Sequence, residues 1–194
     1  DKLEIYDFET GELSTTTYYG TTYQIDHQQR RIVITKRSNY NVANSHEEIG
    51  DIAVFGSQKN KHIPHGIVPN ECNGLVLEDV TLYAGTTFGF FETNCSGSQY
   101  INCKIDRRPL KTEIVERDVR RMRSINADGF HSKYATVGPK YIGCLARFNG
   151  DDGIAINGHY HVIAATDGNK LTVVPKGGNN LNLSVGHSVE LVSY

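Results

Sequence analysis

The sequence predicts an all-β fold, a right-handed parallel β-helix with flanking antiparallel β strands forming a small barrel or cap, on three observations. A strand-like segment recurs at a step of 23 residues, a glycine-marked segment recurs with it, and no 3.6-residue apolar period runs through either. A repeat of that length is too short for a βαβ unit of about 30 residues or more. In a parallel solenoid, by contrast, each residue lies over its counterpart one turn away, at about 4.8 Å, so equivalent positions form ladders.

In chain order, residues 1–57 hold short alternating stretches, Lys2-Leu-Glu-Ile-Tyr, Tyr23-Gln-Ile-Asp and Arg31-Ile-Val-Ile-Thr, joined by polar turns in the manner of antiparallel hairpins. The solenoid is expected over 58–165. There Gly74-Leu-Val-Leu-Glu-Asp-Val-Thr-Leu aligns with Gly97-Ser-Gln-Tyr-Ile-Asn-Cys-Lys-Ile, and the pattern returns as Tyr141-Ile-Gly-Cys-Leu-Ala. A second element follows each time: Phe88-Gly89-Phe90, Asp128-Gly129-Phe130, then Asp152-Gly153-Ile154. From Gly129 to Gly153 is 24 residues, but from Gly89 to Gly129 is 40, so one turn carries an insertion. The charged, helix-forming segment 107–123 supplies it and is expected to be a solvated excursion. Residues 166–194 return to the hairpin pattern in Lys170-Leu-Thr-Val-Val and Val189-Glu-Leu-Val. Gly50-Asp-Ile-Ala-Val-Phe, Gly186-His-Ser-Val-Glu-Leu-Val and Asp1-Lys-Leu-Glu-Ile-Tyr resemble one another. The two ends are therefore expected to build a small barrel or sandwich that protects the solenoid's edges.

The 194 residues carry 20 Lys plus Arg against 22 Asp plus Glu, with no run of like charge. The long-range field that draws nucleic acid or an anionic membrane is missing, so a neutral partner is expected and those two are not. No apolar run reaches the roughly 18 residues of a spanning helix, and Asp1-Lys-Leu-Glu-Ile lacks the zones of a signal peptide. Cys72, Cys95, Cys103 and Cys144 lack the paired spacing of a zinc site. They follow the repeat instead, and are expected to be small buried residues with no metal role.

The chemistry is expected at three carboxylates. If Gly129 stacks on Gly153, Asp128 lies beside Asp152, with Asp151 next to it. Asp-Gly alone marks a turn. Three acids in register across neighbouring repeats cost stability that turn formation does not require, and like charges so close raise at least one pKa toward a general acid's range. An acid and a base from one cluster are what glycoside hydrolysis needs. His131, Lys133, Arg147, His159 and Tyr160 are candidates for substrate binding: Lys133 or Arg147 on sugar hydroxyls, His159 with Tyr160 lining the pocket. His159 and His161 share a face by alternation, but two histidines do not make a metal site.

The motif Asn126-Ala-Asp-Gly-Phe-His followed by Asn149-Gly-Asp-Asp-Gly-Ile-Ala-Ile-Asn-Gly-His-Tyr resembles the catalytic region of β-helical inverting glycoside hydrolases. It is similar to polygalacturonases and closer to the α-1,3-galactosidases acting on blood-group B antigen. The resemblance extends loosely from Gly50 to Tyr160, and Val189-Glu-Leu resembles part of the β-barrel beside the galactosidases' helix. It implies an exo-acting hydrolase for a terminal α-linked galactose-like sugar, with Asp128, Asp151 and Asp152 as the catalytic group and no cofactor; Asp151 is the expected acid and Asp128 and Asp152 the expected water-activating bases, an order that stacking leaves open. The Arg-Ile-Lys element with which polygalacturonases hold a uronate is missing after Asp152, which disfavours acidic pectin. An oligo- or polysaccharide partner and a secreted or periplasmic location follow from the substrate class. The alternatives are a non-catalytic carbohydrate-binding or structural β-helix, such as a fragment of a larger enzyme whose aspartates bind Ca²⁺, and a polysaccharide lyase, against which the lack of a basic cluster counts.

Overall fold

The structure, a computed structural model, describes residues 2–13, 18–35, 47–56, 63–109, 121–158, 160–176, 181 and 183–193. Among these the chain is all-β, without a helix, and no helix is long and apolar enough to cross a membrane. By compactness it divides into Asp1–Ile63 with Leu110–Met122, and Pro64–Pro109 with Arg123–Tyr194.

In the first unit, β1 (Lys2–Tyr6), β2 (Tyr18–Tyr19), β3 (Thr22–Asp26), β4 (Arg31–Thr35) and β5 (Ile52–Gly56) include the three stretches expected as hairpin strands. β1 lies between β2 and β5, antiparallel to both. Alternation puts Leu3 and Ile5 on one face, where they are buried with Tyr18 and Ile34 packs against them. β3 and β4 form a hairpin whose turn is tied by the Gln29 backbone N–H donating to Asp26 Oδ1 at 3.0 Å.

The second unit holds β6 (Val76–Glu78), β7 (Thr81–Leu82), β8 (Phe90–Thr93), β9 (Gln99–Ile101), β10 (Lys104–Ile105), β11 (Phe130–Lys133), β12 (Lys140–Ile142), β13 (Leu145–Ala146), β14 (Ile154–Asn157), β15 (Val162–Asp167) and β16 (Lys170–Val174). Nine of these make three parallel sheets, each taking one strand from each repeat: β6-β9-β12, β7-β10-β13 and β8-β11-β14. The register carries the steps found in the sequence. Val76 pairs with Gln99, Phe90 with Phe130 and Phe130 with Ile154. Parallel bridges from Ile67 to Phe90 and Asn70 to Thr93 begin the series one repeat before β8, ahead of Gly74.

Equivalent corners share a left-handed backbone. Asp79, Asn102 and Gly143 turn between the first two sheets at φ of 56, 52 and 63°, and Glu71, Asn94 and Tyr134 turn after the third at 55, 53 and 60°. Asparagine and glycine tolerate that region; the others are held there by the stacked neighbours. Inside, Phe90 stacks on Phe130 with centroids 4.9 Å apart and planes 5° apart, and Tyr100 stacks on Tyr141 at 5.3 Å. Cys103, Ile105 and Ile125 complete the core with no exposure, and Cys95 is as fully buried. Cys72 and Cys144 are only partly buried, and all four thiols are free. Glu92 is interior too, at 1% exposed, and accepts from Ser132 Oγ at 2.6 Å and the Tyr100 hydroxyl at 2.9 Å. Burial, reinforced by the Glu92 charge, pushes the Tyr100 and Tyr141 phenols above their ordinary range.

Among the described residues the flanks form antiparallel sheets: β2-β1-β5 and β3-β4 in the first unit and β15-β16 in the second. The last straddles the expected boundary at 165/166, because Gly168, at φ 55°, closes a two-residue turn between Asp167 and Lys170 and lets β15 and β16 satisfy each other's backbone. Val189–Val192 is not a strand, and Val189, Leu191 and Val192 are all more than half exposed. Most of the expected insertion, 110–120, lies outside the described residues.

Candidate active site

Backbone ladders carry the aspartates to one place. The Gly89 N–H donates to the Asp128 carbonyl at 3.0 Å and the Gly129 N–H to that of Asp152 at 2.9 Å, so the two aspartates are consecutive steps of one column. The segments leading to them are joined as well. Ser124 donates through its N–H to the Phe148 carbonyl and through Oγ to that of Arg147, both at 2.8 Å, and the Gly150 N–H donates to the Ile125 carbonyl at 3.0 Å. A Cβ on Gly150 would meet the Asn126 carbonyl oxygen at 2.5 Å, so only glycine permits this approach. Phe148 just upstream is left-handed at φ 59°, a conformation costing a bulky residue about 1–3 kcal/mol. Its ring sits under the guanidinium groups of Arg107 at 3.5 Å and Arg147 at 5.3 Å. Asn149 then clamps the next turn, its amide donating to the carbonyls of Asp151 at 2.6 Å and Asp152 at 2.8 Å.

Asp128, Asp151 and Asp152 thereby converge, each offering a carboxylate oxygen within 4.8 Å of the others. Asp128 is 5% exposed, whereas Asp151 and Asp152 face solvent. His131 is buried beside Asp128: its Nδ1 lies 2.5 Å from Asp128 Oδ2, and its Nε2 lies 3.3 Å from the Asn157 amide nitrogen. With Nδ1–H donating to the carboxylate and Nε2 accepting from Asn157, the ring fixes one oxygen of Asp128 as an acceptor. One buried, anchored carboxylate beside two exposed ones can divide proton donation and water activation between them. The same three oxygens suit a hard cation such as Ca²⁺.

Of the other expected residues, His131 touches Asp128 rather than lying open to a ligand. Lys133 follows on the same outward face of β11, its Nζ 5.8 Å from the centre of the Phe91 ring. Arg147 forms a bidentate ion pair with Asp106, at 3.1 and 2.6 Å. Burial pushes the Asp106 carboxyl upward, but the Arg147 guanidinium and the Arg107 backbone N–H outweigh it and hold it below the usual range. Tyr160 is 72% exposed, His161 Nδ1 accepts from the Lys176 backbone, and His159 lies outside the described residues.

Sequence reasoning missed four neighbours: His65, Phe88, Phe91 and Asn157. Phe88 and Phe91 pack with centroids 5.0 Å apart, His65 lies 5.1 and 4.8 Å from them, and His131 lies 4.8 and 5.4 Å from them. Burial, then the nearby His131 and Lys133, lowers the His65 pKa from its ordinary value. The signal was available, because Phe91 stands 40 residues before His131, the step that relates Gly89 to Gly129. Comparison with known proteins finds no family model that matches this chain and no curated protein that matches it.

Proposed function

We propose that the three ladders wind as a right-handed parallel β-helix and that the aspartate cluster hydrolyses a glycosidic bond, releasing a neutral, galactose-like terminal sugar. Parallel crossovers are right-handed in about 98% of cases, which supports the winding. The observation that carries the activity is the convergence of Asp128, Asp151 and Asp152 within 4.8 Å, with Asp128 anchored by His131. In this reading exposed Asp151 protonates the leaving oxygen, while Asp128 and Asp152 activate water. The resemblance implies inversion, yet the oxygen separations are shorter than the about 6.5–9.5 Å of inverting pairs and nearer the about 5 Å of retaining ones. The anomer first formed is therefore the informative product. The test is sugar release from a panel of α- and β-linked galactosides by the wild type and Asp151→Asn, with proton NMR following the new anomeric signal. Release that vanishes in the variant supports the proposal. Release that survives it places the chemistry elsewhere, and no release from folded wild type refutes the hydrolase.

The same convergence favours a second reading, a non-catalytic carbohydrate-binding or structural module whose aspartates share a Ca²⁺ ion. A melting temperature that rises with calcium, falls with chelator and is indifferent to both in Asp152→Asn, in a protein that turns over no glycoside, would select it.

A further inference from the structure

The column that ends in the two aspartates begins with two rings. The Gly66 N–H donates to the Phe88 carbonyl and the Gly89 N–H to that of Asp128, so His65, Phe88, Asp128 and Asp152 occupy one position in four successive repeats. The next outward column runs Phe91, His131, Ala155, in the register of β8, β11 and β14. Phe90 and Phe130, between these columns, point inward and already fill the core, so packing of the interior does not call for Phe88 or Phe91. Both rings are half-buried on the outer face, as is His65. The Thr87 hydroxyl donates to the Pro64 carbonyl at 2.9 Å, leaving its oxygen to accept from His65 Nδ1–H at 2.7 Å, and this sets the His65 ring 19° from parallel to Phe88.

We infer that Phe88, Phe91 and His65 form a sugar-stacking subsite, which receives the C–H face of a pyranose one repeat away from Asp128. This deepens the hydrolase reading and rests on it for the identity of the sugar. Galactose suits the surface because its axial C4 hydroxyl gathers the C3, C4 and C5 hydrogens on one face, an apolar patch the width of an aromatic ring. A step of about 4.8 Å per repeat matches the width of one pyranose, and because His65 already stacks on Phe88 the sugar seats on Phe91, with its glycosidic oxygen directed toward Asp128 in the next repeat. Lys133, beside Phe91, supplies an ammonium donor at the rim, and the site has the apolar wall with few polar groups that ligand sites share.

The test uses the full chain carrying Asp151→Asn, with ring-¹³C phenylalanine, titrated with methyl α-D-galactopyranoside and with an α-1,3-linked galactobiose. Phe88 and Phe91, assigned by Phe88→Leu and Phe91→Leu, are expected to shift, while Phe8, Phe55 and Phe148 stay still. Phe91→Ala should weaken binding roughly tenfold, equivalent to about 1.4 kcal/mol, and Phe91→Tyr should restore it. Rings unmoved at the highest soluble sugar concentration, or equal binding by Phe91→Ala, would overturn the inference. The ring shifts are read with Phe88, Phe91 and His65 intact, so a misfolded variant does not remove the test. Ring shifts without turnover by the wild type keep the subsite and remove the hydrolase; turnover without ring shifts does the reverse.

Discussion

Gly129 lies where two repeats touch, and replacing it with alanine tests the stacking directly. A Cβ there would stand 2.8 Å from the Gly153 carbonyl oxygen and 2.8 Å from the Ala146 Cβ. That oxygen also accepts from the Phe130 N–H at 3.0 Å, so a methyl that drives it back by about half an ångström lengthens a ladder hydrogen bond. Overpacking of this kind costs about 1–3 kcal/mol and the weakened bond about 1 more, for a total of roughly 2–4 kcal/mol. Gly153 is the internal control. A Cβ there meets only the Ala146 Cβ, at 3.8 Å, so Gly153→Ala should be neutral or stabilise by about 0.4–1 kcal/mol through the unfolded chain. Thermal unfolding followed by far-ultraviolet circular dichroism should separate the two variants by about 5–15 °C. Equal melting temperatures would refute the close approach of the repeats. Turnover should fall in Gly129→Ala as well, because Asp128 precedes the displaced residue.

Three further outcomes follow from named contacts. Tyr100→Phe removes a donor from the interior Glu92 carboxylate and should cost about 1–3 kcal/mol in urea unfolding; an unchanged midpoint would place Glu92's satisfaction elsewhere. His131→Ala frees Asp128 and should lower kcat about 10–100-fold with KM little changed, whereas a rise in KM alone would mean that His131 binds sugar. Because the folded Asp106 carboxyl titrates below its unfolded value, its pairing with Arg147 stabilises the chain above about pH 4 and is lost as pH falls through the lowered folded value. Arg147→Ala should therefore melt below wild type at neutral pH and converge with it in acid; a gap constant with pH would remove the electrostatic account.

How much of this was legible depended on whether stacked positions carried the same residue. Gly89, Gly129 and Gly153 repeat in kind, so the register and the meeting of Asp128 with Asp152 followed from counting. Gly66 belongs to the same series, since its Cβ would strike the Gly89 carbonyl at 2.6 Å. It was passed over because the segment from Ile67 to Cys72 lacks the alternation of the later strands. Asp106 and Arg147 are separated by 41 residues, the same step as Cys103 to Cys144, yet the column hides behind a change of residue type. The outward rings escaped for the same reason, as Phe91 pairs in register with His131 and Phe88 leads to Asp128. The strand expected over 189–192 rested on likeness to segments in the first unit, and likeness does not specify pairing. Backbone complementarity does, and the tight turn at Gly168 gave β15 its partner locally.

Stacking also separates structural charge from chemical charge. A ladder sets each side chain beside its counterpart about 4.8 Å away, an arrangement that favours apolar and aromatic columns and opposes like charges. The second unit resolves this conflict in most of its acidic columns. Asp106 is followed by Arg147, a change of sign that makes an ion pair, and Glu92 is followed by Ser132, a donor that satisfies it. Only where Asp128 is followed by Asp152 does the described chain set carboxylate on carboxylate, and there it adds Asp151. The Gly150 contact and the Asn149 clamp hold these groups together where an asparagine at any one position would relieve the repulsion. A fold that answers charge with opposite charge one corner away has no structural need for this cluster. The hydrolase proposal supplies that need as chemistry that uses several carboxylates at once, and for that reason the aspartates, ahead of the arginines or histidines, carry it.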